Sequence, residues 1–313
     1  MNAIDIKQLE KTYSNGKTAL HGIDLHVEEG DFFALLGPNG AGKSTTIGIL
    51  SSLVNKSAGQ VSVFDFDIDK QLSAAKACLG IVPQEINFSL FENTLEVVLN
   101  QAGYYGIPRA LARTRAEKYF RALDMWDRRH DISRTLSGGF KRRLMIARAL
   151  IHEPRVLILD EPTAGVDVEL RRSMWDFLRE LNSQGTTIVL TTHYLEEAEN
   201  LCKNIAIIDH GRIIEHSSMK QLLGKLNVET FVLELETPIS NLPENKNYIL
   251  KHTEPGCIEV ELSKTQNINE LIGFFTSEGV GIRSMRNKSN RLEELFIRLL
   301  GNNSTFGETE NDR

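Results

Sequence analysis

Cysteine is scarce in this sequence, and its spacing excludes one class of protein. Only Cys78, Cys202 and Cys257 occur among 313 residues, and no two of them form a CxxC pair. An odd, scattered set is typical of reduced thiols in the cytoplasm rather than of a disulfide framework. We interpret all three as packing residues.

Long apolar runs are missing as well. A membrane-spanning helix needs about 18 to 20 unbroken apolar residues, and no stretch comes near that length. The opening "MNAIDIKQLEK" lacks the basic start and the apolar segment of a secretory signal. We therefore expect a chain that stays inside the cell and has a membrane role only through a partner.

The sequence also has no long basic block. Its 36 Lys and Arg residues are outnumbered by 42 Asp and Glu residues, which gives a net charge of -6. Nucleic-acid-binding proteins usually cluster Lys and Arg on one surface. Nucleic acid is therefore not an expected partner.

The composition that remains is that of a globular protein. Hydrophobic residues make up 41% and charged residues 25%, and the length predicts one large domain and a smaller one. Residues 3–9 and 20–27 alternate between apolar and polar, as half-buried strands do. These two segments are predicted to be strands with one solvated face.

Three further segments are almost continuously apolar. They are "DFFALLG" from Asp31, "RVLILD" at 155–160 and "TTIVLTT" at 186–192, and such runs are typical of strands covered on both faces of a parallel sheet. The last two flank a helix with four apolar residues on one face, Met174, Trp175, Leu178 and Leu181. The pattern predicts an α/β fold with helices on both faces of the sheet.

Two breaks in this pattern indicate the domain organisation. Residues 94–125 read as two helices without a strand between them, which predicts a helical insertion. After about Leu222 the sequence has "TFVLELE" and "IEVELS", which we interpret as exposed-edge strands. We expect a domain over residues 1–220 with a helical subdomain at about 85–150, an accessory α/β domain over 221–301, and a disordered tail over 302–313.

The accessory domain should contain two amphipathic helices. The apolar face of the first is expected to consist of Ile268, Leu271, Ile272 and Phe275. The apolar face of the second is expected to consist of Leu292, Leu295, Phe296 and Leu299. Asn290 and Glu293 have the spacing of a capping box for that second helix.

A phosphate-binding loop follows the first buried strand. "GPNGAGKS" fits the G-x-x-x-x-G-K-[ST] pattern and precedes the helical "STTIGIL". Its glycines let backbone N–H groups surround phosphate oxygens, Lys43 supplies a charge, and the Ser44 hydroxyl can ligate Mg²⁺. The predicted nucleotide-binding residues are Gly37, Pro38, Asn39, Gly40, Ala41, Gly42, Lys43, Ser44 and Thr45.

Two carboxylates follow the second buried strand. In "VLILDEP", Asp160 stands where it can hold hydrated Mg²⁺ opposite Ser44. Neighbouring side chains diverge, so Glu161 is free to face the γ-phosphate and orient an attacking water as general base. An Asp-Glu pair in isolation would usually be a solvated turn, but it follows a phosphate loop here.

Three other residues are weaker candidates for the same site. His193 ends the third buried strand and should emerge at the same sheet edge, where it can contact the γ-phosphate, although an isolated His there would usually be structural. Gln84 in "IVPQE" can approach the metal or the water, or it is an ordinary loop residue. Tyr13 in "KTYSNG" can stack on adenine, or it is simply a strand aromatic.

"LSGGFKRR", from Leu136 to Arg143, places a donor-rich turn before a helix. Ser137, Gly138 and Gly139 offer a hydroxyl and open backbone N–H groups at a helix N-terminus, which is a second anion site. The phosphate loop already provides for one nucleotide. The second turn is therefore expected to close over the nucleotide of another copy, which predicts a two-fold dimer with ATP at each seam.

Together these motifs resemble the nucleotide-binding subunit of ATP-binding cassette (ABC) transporters. The resemblance covers roughly residues 3–220 and rests on "GPNGAGKS", Gln84, "LSGGF", "VLILDEP", "AGVD" at 164–167, and His193, in that order. It implies a phosphate-loop NTPase core with an antiparallel β subdomain and a helical insertion, plus a small C-terminal α/β domain.

The resemblance also implies partners and roles. It implies a Mg²⁺-dependent ATPase that forms a head-to-tail homodimer around ATP and drives a separate integral-membrane permease, an exporter of the drug-efflux type, from the cytoplasmic face of the cell membrane. Glu161 would be the base, His193 the switch histidine, Gln84 the link to the helical insertion, and Asp167 the link between the two active sites. Phe140 departs from the family's usual Gln, and "AGVD" departs from the commoner "SALD".

Two rival functions remain open at this point. One is a cassette ATPase that never meets a membrane, although this chain lacks the paired cassettes, coiled-coil insertions and basic arms of such proteins. The other is a regulator that binds ATP without hydrolysing it. Glu161 argues against that second reading, since a binding module has no use for a base.

Overall fold

The computed structural model describes residues 1–225, 228–239, 241–243, 247–263, 265–288 and 291–304. The chain divides into two compact units, Met1–Met219 and Lys220–Arg313. Within the described residues, every helix is too short or too polar to span a lipid bilayer.

The first unit combines two sheets with helices. Its strands are β1 (Asn2–Thr12), β2 (Thr18–Glu28), β3 (Phe32–Leu36), β4 (Ala58–Val63), β5 (Phe66–Asp67), β6 (Leu79–Val82), β7 (Val156–Asp160), β8 (Thr187–Thr191), β9 (Asn204–Asp209) and β10 (Arg212–Ser218). Its helices are α1 (Lys43–Leu50), α2 (Leu72–Ala77), α3 (Thr94–Tyr104), α4 (Arg109–Ala122), α5 (Gly138–Leu150), α6 (Val168–Ser183) and α7 (Leu195–Leu201), and α8 (Met219–Gly224) follows them.

The larger sheet carries the three apolar segments identified in the sequence. Its strand order is β10-β9-β3-β8-β7-β6, with every neighbouring pair parallel except β9 and β10. Every residue of β3 and β8 is buried, as expected for central parallel strands covered on both faces. The parallel strands therefore bring the loops after β3, β6, β7 and β8 to one edge.

The smaller sheet has the antiparallel order β2-β1-β4-β5. In β2, buried and exposed residues alternate from Ile23 to Glu28, as the sequence predicted. One apolar core joins the two sheets and α1, and its members include Ile4, Leu20, Phe33, Ile49, Val61 and Ile158. The predicted α/β fold with an antiparallel β subdomain is confirmed.

The helical insertion lies between β6 and β7. α3, α4 and α5 contact one another, and they bury Val98, Ala116 and Phe120 completely. The side chain of Asn93 caps α3 by accepting a hydrogen bond from the Glu96 N–H at 2.9 Å. No strand interrupts residues 94–125, as the sequence indicated.

The second unit is a small α/β fold. It contains β11 (Val228–Leu235), β12 (Ile249–Glu254), β13 (Cys257–Ser263), α9 (Ile268–Ser277), β14 (Ile282–Asn287) and α10 (Arg291–Ser304). The antiparallel strand order is β12-β13-β11-β14. The prediction of "TFVLELE" and "IEVELS" as edge strands is wrong, because β11 and β13 are the two central strands and their alternating charges mark one solvated face.

The helices of the second unit agree only in part with the prediction from the sequence. Leu271 and Phe275 are fully buried in α9, but Ile268 and Ile272 are 43% and 42% exposed, so α9 is rotated and buries a narrower stripe than predicted. In α10, Leu292 and Leu295 are buried as expected. α10 continues to Ser304, three residues into the expected tail, while Asn290 of the proposed capping box and residues 305–313 lie outside the described residues.

Truncation of a buried side chain in α6 should lower the stability of the first unit. Met174, Trp175, Leu178 and Leu181 are all buried, and Leu178 has no exposed surface. We expect Leu178→Ala to lower the free energy of unfolding of the first unit by about 2–5 kcal/mol, from lost burial and the cavity left behind. Urea unfolding would measure this, with exposed Arg172→Ala as the control, expected within about 0.5 kcal/mol of the parent. Equal effects of the two changes would contradict the packing of α6.

Candidate functional site

A cleft of about 660 Å³ opens at the edge of the parallel sheet where the strand ends meet. Most of the predicted site residues line it. The lining residues are Tyr13, Lys17, Ala19, Asn39, Gly40, Gly42, Lys43, Ser44, Thr45, Gln84, Asp160, Glu161 and His193. They come from the loops after β3, β6, β7 and β8 and from the β1–β2 turn.

The loop between β3 and α1 needs glycine at two positions. A Cβ on Gly37 would lie 2.2 Å from the Ile208 carbonyl oxygen, and Gly42 has a φ of 117° that other residues rarely adopt. These two residues let the loop turn tightly against β9 and enter α1 at Lys43. The backbone N–H groups of this turn and the first turn of α1 form a concave anion site.

Lys43 lies folded over this loop. Its Nζ donates to the carbonyl oxygens of Gly37 and Pro38 at 2.6 and 3.0 Å. Burial lowers the pKa of Lys43, while the charges of Glu161 and Asp160 raise it. A buried ammonium group above exposed backbone donors is an arrangement suited to bind phosphate oxygens.

Asp160 and Glu161 have different hydrogen-bond partners at the end of β7. Thr191 at the end of β8 donates from Oγ1 to Asp160 Oδ1. Glu161 has a φ of 49°, in the left-handed region that costs a non-glycine residue about 1–3 kcal/mol. Its backbone N–H donates to the Thr191 carbonyl at 2.9 Å. Glu161 therefore adopts a strained backbone conformation directly after β7.

Gln84 and His193 meet at one oxygen of Glu161. Gln84 Nε2 donates to Glu161 Oε2 at 3.0 Å, and His193 Nδ1 lies 3.3 Å from the same oxygen. The Glu161 side chain is only 13% exposed, whereas that of His193 is 52% exposed. Three residues that follow β6, β7 and β8 are thereby brought together at one carboxylate.

Tyr13 stands at the mouth of the cleft. Its hydroxyl lies 3.2 Å from Thr45 Oγ1, and Lys11 Nζ lies 4.9 Å from the centre of its ring. The ring is therefore held near the start of α1 with one face beside a cation. Lys17, four residues later, lines the cleft too, and the sequence analysis missed it although it follows the Tyr13 turn directly.

The second donor turn does not line this cleft. The Ser137 side chain caps α5 by accepting from the Phe140 N–H at 3.5 Å, and Gly138 is exposed with open space around it. A Cβ on Gly139 would lie 1.9 Å from a methyl group of Leu170 at the start of α6. The structure therefore places Ser137 and Gly138 at a separate exposed surface of the chain, with Gly139 buried beside them.

Asp167 lies beside that separate surface rather than in the cleft. Its side chain caps α6 by accepting from the Leu170 N–H at 2.9 Å.

Phe140, the departure noted in the sequence, has the Arg128 guanidinium 4.5 Å from its ring centre and that of Arg143 at 5.6 Å. The aromatic ring has cationic neighbours that a Gln would not attract in the same way.

Glu197 of α7 is a buried carboxylate that the sequence gave no means of finding. It has no exposed surface, and its Oε1 accepts from Thr163 Oγ1 at 3.1 Å and from Trp175 Nε1 at 3.0 Å. Burial raises the pKa of Glu197, whereas its hydrogen bonds and the nearby charge of Arg171 lower it. Glu197 thereby ties the turn after Glu161 to α6. In the sequence it is one acidic residue among several in "LEEAEN".

The donors in the cleft suit Mg²⁺ held together with phosphate. The described residues contain no cluster of three or more His, Cys, Asp or Glu side chains that would hold a metal ion alone. Mg²⁺ usually takes one or two carboxylates and fills its remaining positions with water and substrate phosphates. Asp160 and the Ser44 hydroxyl, both facing the cleft, fit that pattern.

Comparison with known proteins places this site in context. Residues 20–164 match the family model described as ABC transporter. The chain is 33% identical over 309 residues to the linearmycin resistance ATP-binding protein LnrL of Bacillus subtilis (strain 168), covering 95% of this chain and 98% of the relative. It is 31% identical over 315 residues to the daunorubicin/doxorubicin resistance ATP-binding protein DrrA of Streptomyces peucetius, covering 98% and 95%.

Another relative and two solved structures agree with these matches. The Nod factor export ATP-binding protein I of Burkholderia pseudomallei (strain 1710b) is 38% identical over 299 residues, covering 95% of this chain and 97% of the relative. The structure of cbiO1 from Clostridium perfringens, part of the ABC transporter complex cbiONQ, has a TM-score of 0.66 and 29% identity, covering 72% of this chain and 91% of that one. A dimeric post-hydrolysis cassette, MJ0796 bound to ADP and Pi, has a TM-score of 0.62 and 27% identity, covering 69% and 98%.

Removal of the Lys43 ammonium should weaken nucleotide binding itself. A hydrogen bond to a charged group contributes about 1.5–3 kcal/mol, so Lys43→Ala should raise the dissociation constant for ATP about ten- to hundredfold. Titration with a fluorescent ATP analogue would measure this. The control is Lys220→Ala, which removes an exposed cation outside the cleft. Unchanged affinity in Lys43→Ala would exclude this lysine from the phosphate site.

Proposed function

The chain belongs to the ATP-binding subunits of ABC transporters, and from this premise we propose that it hydrolyses ATP to drive export through a separate membrane permease. The observation that carries the proposal is the meeting of Gln84 and His193 at Glu161, within the same cleft as Lys43. The names of the relatives, which concern antibiotic resistance and Nod factor export, support the exporting direction.

The residues of the cleft have distinct proposed roles in ATP hydrolysis. Lys43 and backbone N–H groups within residues 39–45 would bind the β- and γ-phosphates, and the ring of Tyr13 would lie against the adenine. Bound Mg²⁺ would neutralise charge on the phosphate oxygens, and Ser44 and Asp160 would hold it with Gln84 close by.

Glu161 is the proposed general base. Its carboxylate would accept a proton from the attacking water, which Gln84 and His193 would help to position. Because Gln84 and His193 share one oxygen of Glu161 as a partner, the other carboxylate oxygen remains available for the water. His193, half exposed at the cleft edge, would also contact the γ-phosphate.

A second copy would complete each site. Ser137, Gly138 and Gly139 lie outside their own chain's cleft, and the exposed Ser137 and Gly138 suit contact with the triphosphate of a facing copy. Asp167, at the adjoining surface, would link the two sites. The existence of a solved cassette dimer with a related fold supports this arrangement.

We further propose that the protein works on the inner face of the cell membrane, held there by its permease. The helical insertion formed by α3, α4 and α5 is the proposed contact. Isolation from membranes with the bound proteins identified would test this, and a multi-spanning membrane protein is the expected companion. Recovery of the protein alone from the soluble fraction would favour a cassette ATPase that works without a membrane.

Glu161→Gln should separate ATP binding from hydrolysis. The amide keeps the size of the side chain but cannot act as a base, so hydrolysis should fall by a factor on the order of 10² to 10⁴. Binding should persist, and the ATP-bound dimer should accumulate. Phosphate release and light scattering after size exclusion would measure the two effects, with Glu180→Gln on the exposed face of α6 as the matched control. Hydrolysis at the parental rate would remove Glu161 from its proposed role.

A further inference from the structure

The buried guanidinium of Arg142 binds the backbone of the segment that carries Gln84. Arg142 lies in the second turn of α5 and is only 8% exposed. Its Nη1 donates to the Pro83 carbonyl at 2.7 Å, and its Nη2 donates to the Gln84 carbonyl at 2.9 Å. Both arms of the guanidinium are therefore used on two consecutive peptide groups after β6.

The same segment reaches the proposed base through its side chain. Gln84 Nε2 donates to Glu161 Oε2 at 3.0 Å, so a continuous set of contacts runs from α5 through the Gln84 backbone to Glu161. Burial lowers the pKa of Arg142, and the charges of Asp160 and Glu161 raise it. The guanidinium thus lies within the electrostatic field of both carboxylates as well as in contact with the loop.

The other end of α5 is the donor turn proposed to face a second copy. Gly138 and Arg142 are about one helical turn apart, about 6 Å along the axis, so the guanidinium and the donor turn belong to the same short stretch of helix. Arg143, the next residue, faces elsewhere: it donates to the Leu123 carbonyl at 2.8 Å and to Ser173 Oγ of α6 at 2.7 Å. The two arginines therefore fix α5 from two sides.

We propose that Arg142 is a positioning residue that couples the two halves of the site: it holds Gln84 against Glu161 and sets the orientation of the Ser137-Gly138-Gly139 turn through α5. The inference rests on the proposed function, because it matters only if that turn completes another copy's site. The planar fork of Arg suits two adjacent carbonyl groups, whereas the single ammonium of Lys cannot serve both in the same geometry.

A purely structural role is a weaker account of the same contacts. A buried charge is costly, and well-packed apolar side chains often replace such groups without loss of stability. Both hydrogen bonds of the Arg142 guanidinium go to carbonyl groups of the loop that carries Gln84, beside the proposed base. The charge therefore lies where it fixes the position of that loop.

The test measures turnover and ATP affinity separately. Arg142→Met should lower kcat about ten- to hundredfold, because the loop loses two hydrogen bonds to a charged group, while the dissociation constant for ATP in the monomer stays within about twofold. Arg142→Lys should be intermediate. In a Glu161→Gln background, Arg142→Met should weaken the ATP-dependent dimer. Arg113→Gln, which removes an exposed cation from α4, is the control for charge.

A double-mutant cycle with Gln84→Ala distinguishes positioning from stability. If Arg142 acts through Gln84, adding Arg142→Met to Gln84→Ala should lower kcat little further, whereas independent effects would multiply. Multiplying effects would overturn the proposal, and so would parental kcat in Arg142→Met. If Arg142→Met does not fold, the same cycle is run with Arg142→Lys, and the thermal midpoint of each variant shows whether lost turnover merely follows lost folding.

Failure of the proposed function would give different results from failure of the Arg142 inference. In that case the parent chain would hydrolyse no ATP and the Glu161→Gln variant would not dimerise, whatever residue stands at position 142. Failure of the Arg142 inference alone would leave both of those activities intact and Arg142→Met indistinguishable from the Arg113→Gln control.

Discussion

The parallel alignment of β3, β8, β7 and β6 is the constraint on which the cleft depends. Each of these strands ends at the same edge, so each contributes the residues that follow it: the phosphate loop, His193, Asp160 with Glu161, and Gln84. None of these groups is close to the others in sequence. A slip of one strand by a single residue would turn its side chains to the opposite face and separate them.

Several features of the cleft could be predicted because they leave local signals. A buried strand followed by a polar residue predicts where that residue emerges, and this reasoning found Glu161, His193 and Gln84. It failed where position depends on distant packing. The edge assignment of β11 and β13 was wrong because alternation reports one solvated face and says nothing about neighbours, and the α9 face was misjudged because helical spacing does not define the exact rotation.

Sequence reasoning could not identify the buried polar residues that support the cleft. Arg142 and Glu197 are each less than 10% exposed, and each bonds to partners that lie in other loops or helices. Such groups cost free energy to bury unless their partners are well placed. Arg142 and Glu197 therefore hold elements that border Glu161 at fixed separations.

The close contact between Gly139 and Leu170 has a consequence for motion. Because the start of α5 touches the start of α6 there, and because Arg143 bonds to Ser173 farther along, the donor turn and the Asp167 turn cannot slide past each other freely. The two turns are therefore in contact, and a neighbouring molecule that displaces one of them would also act on the other.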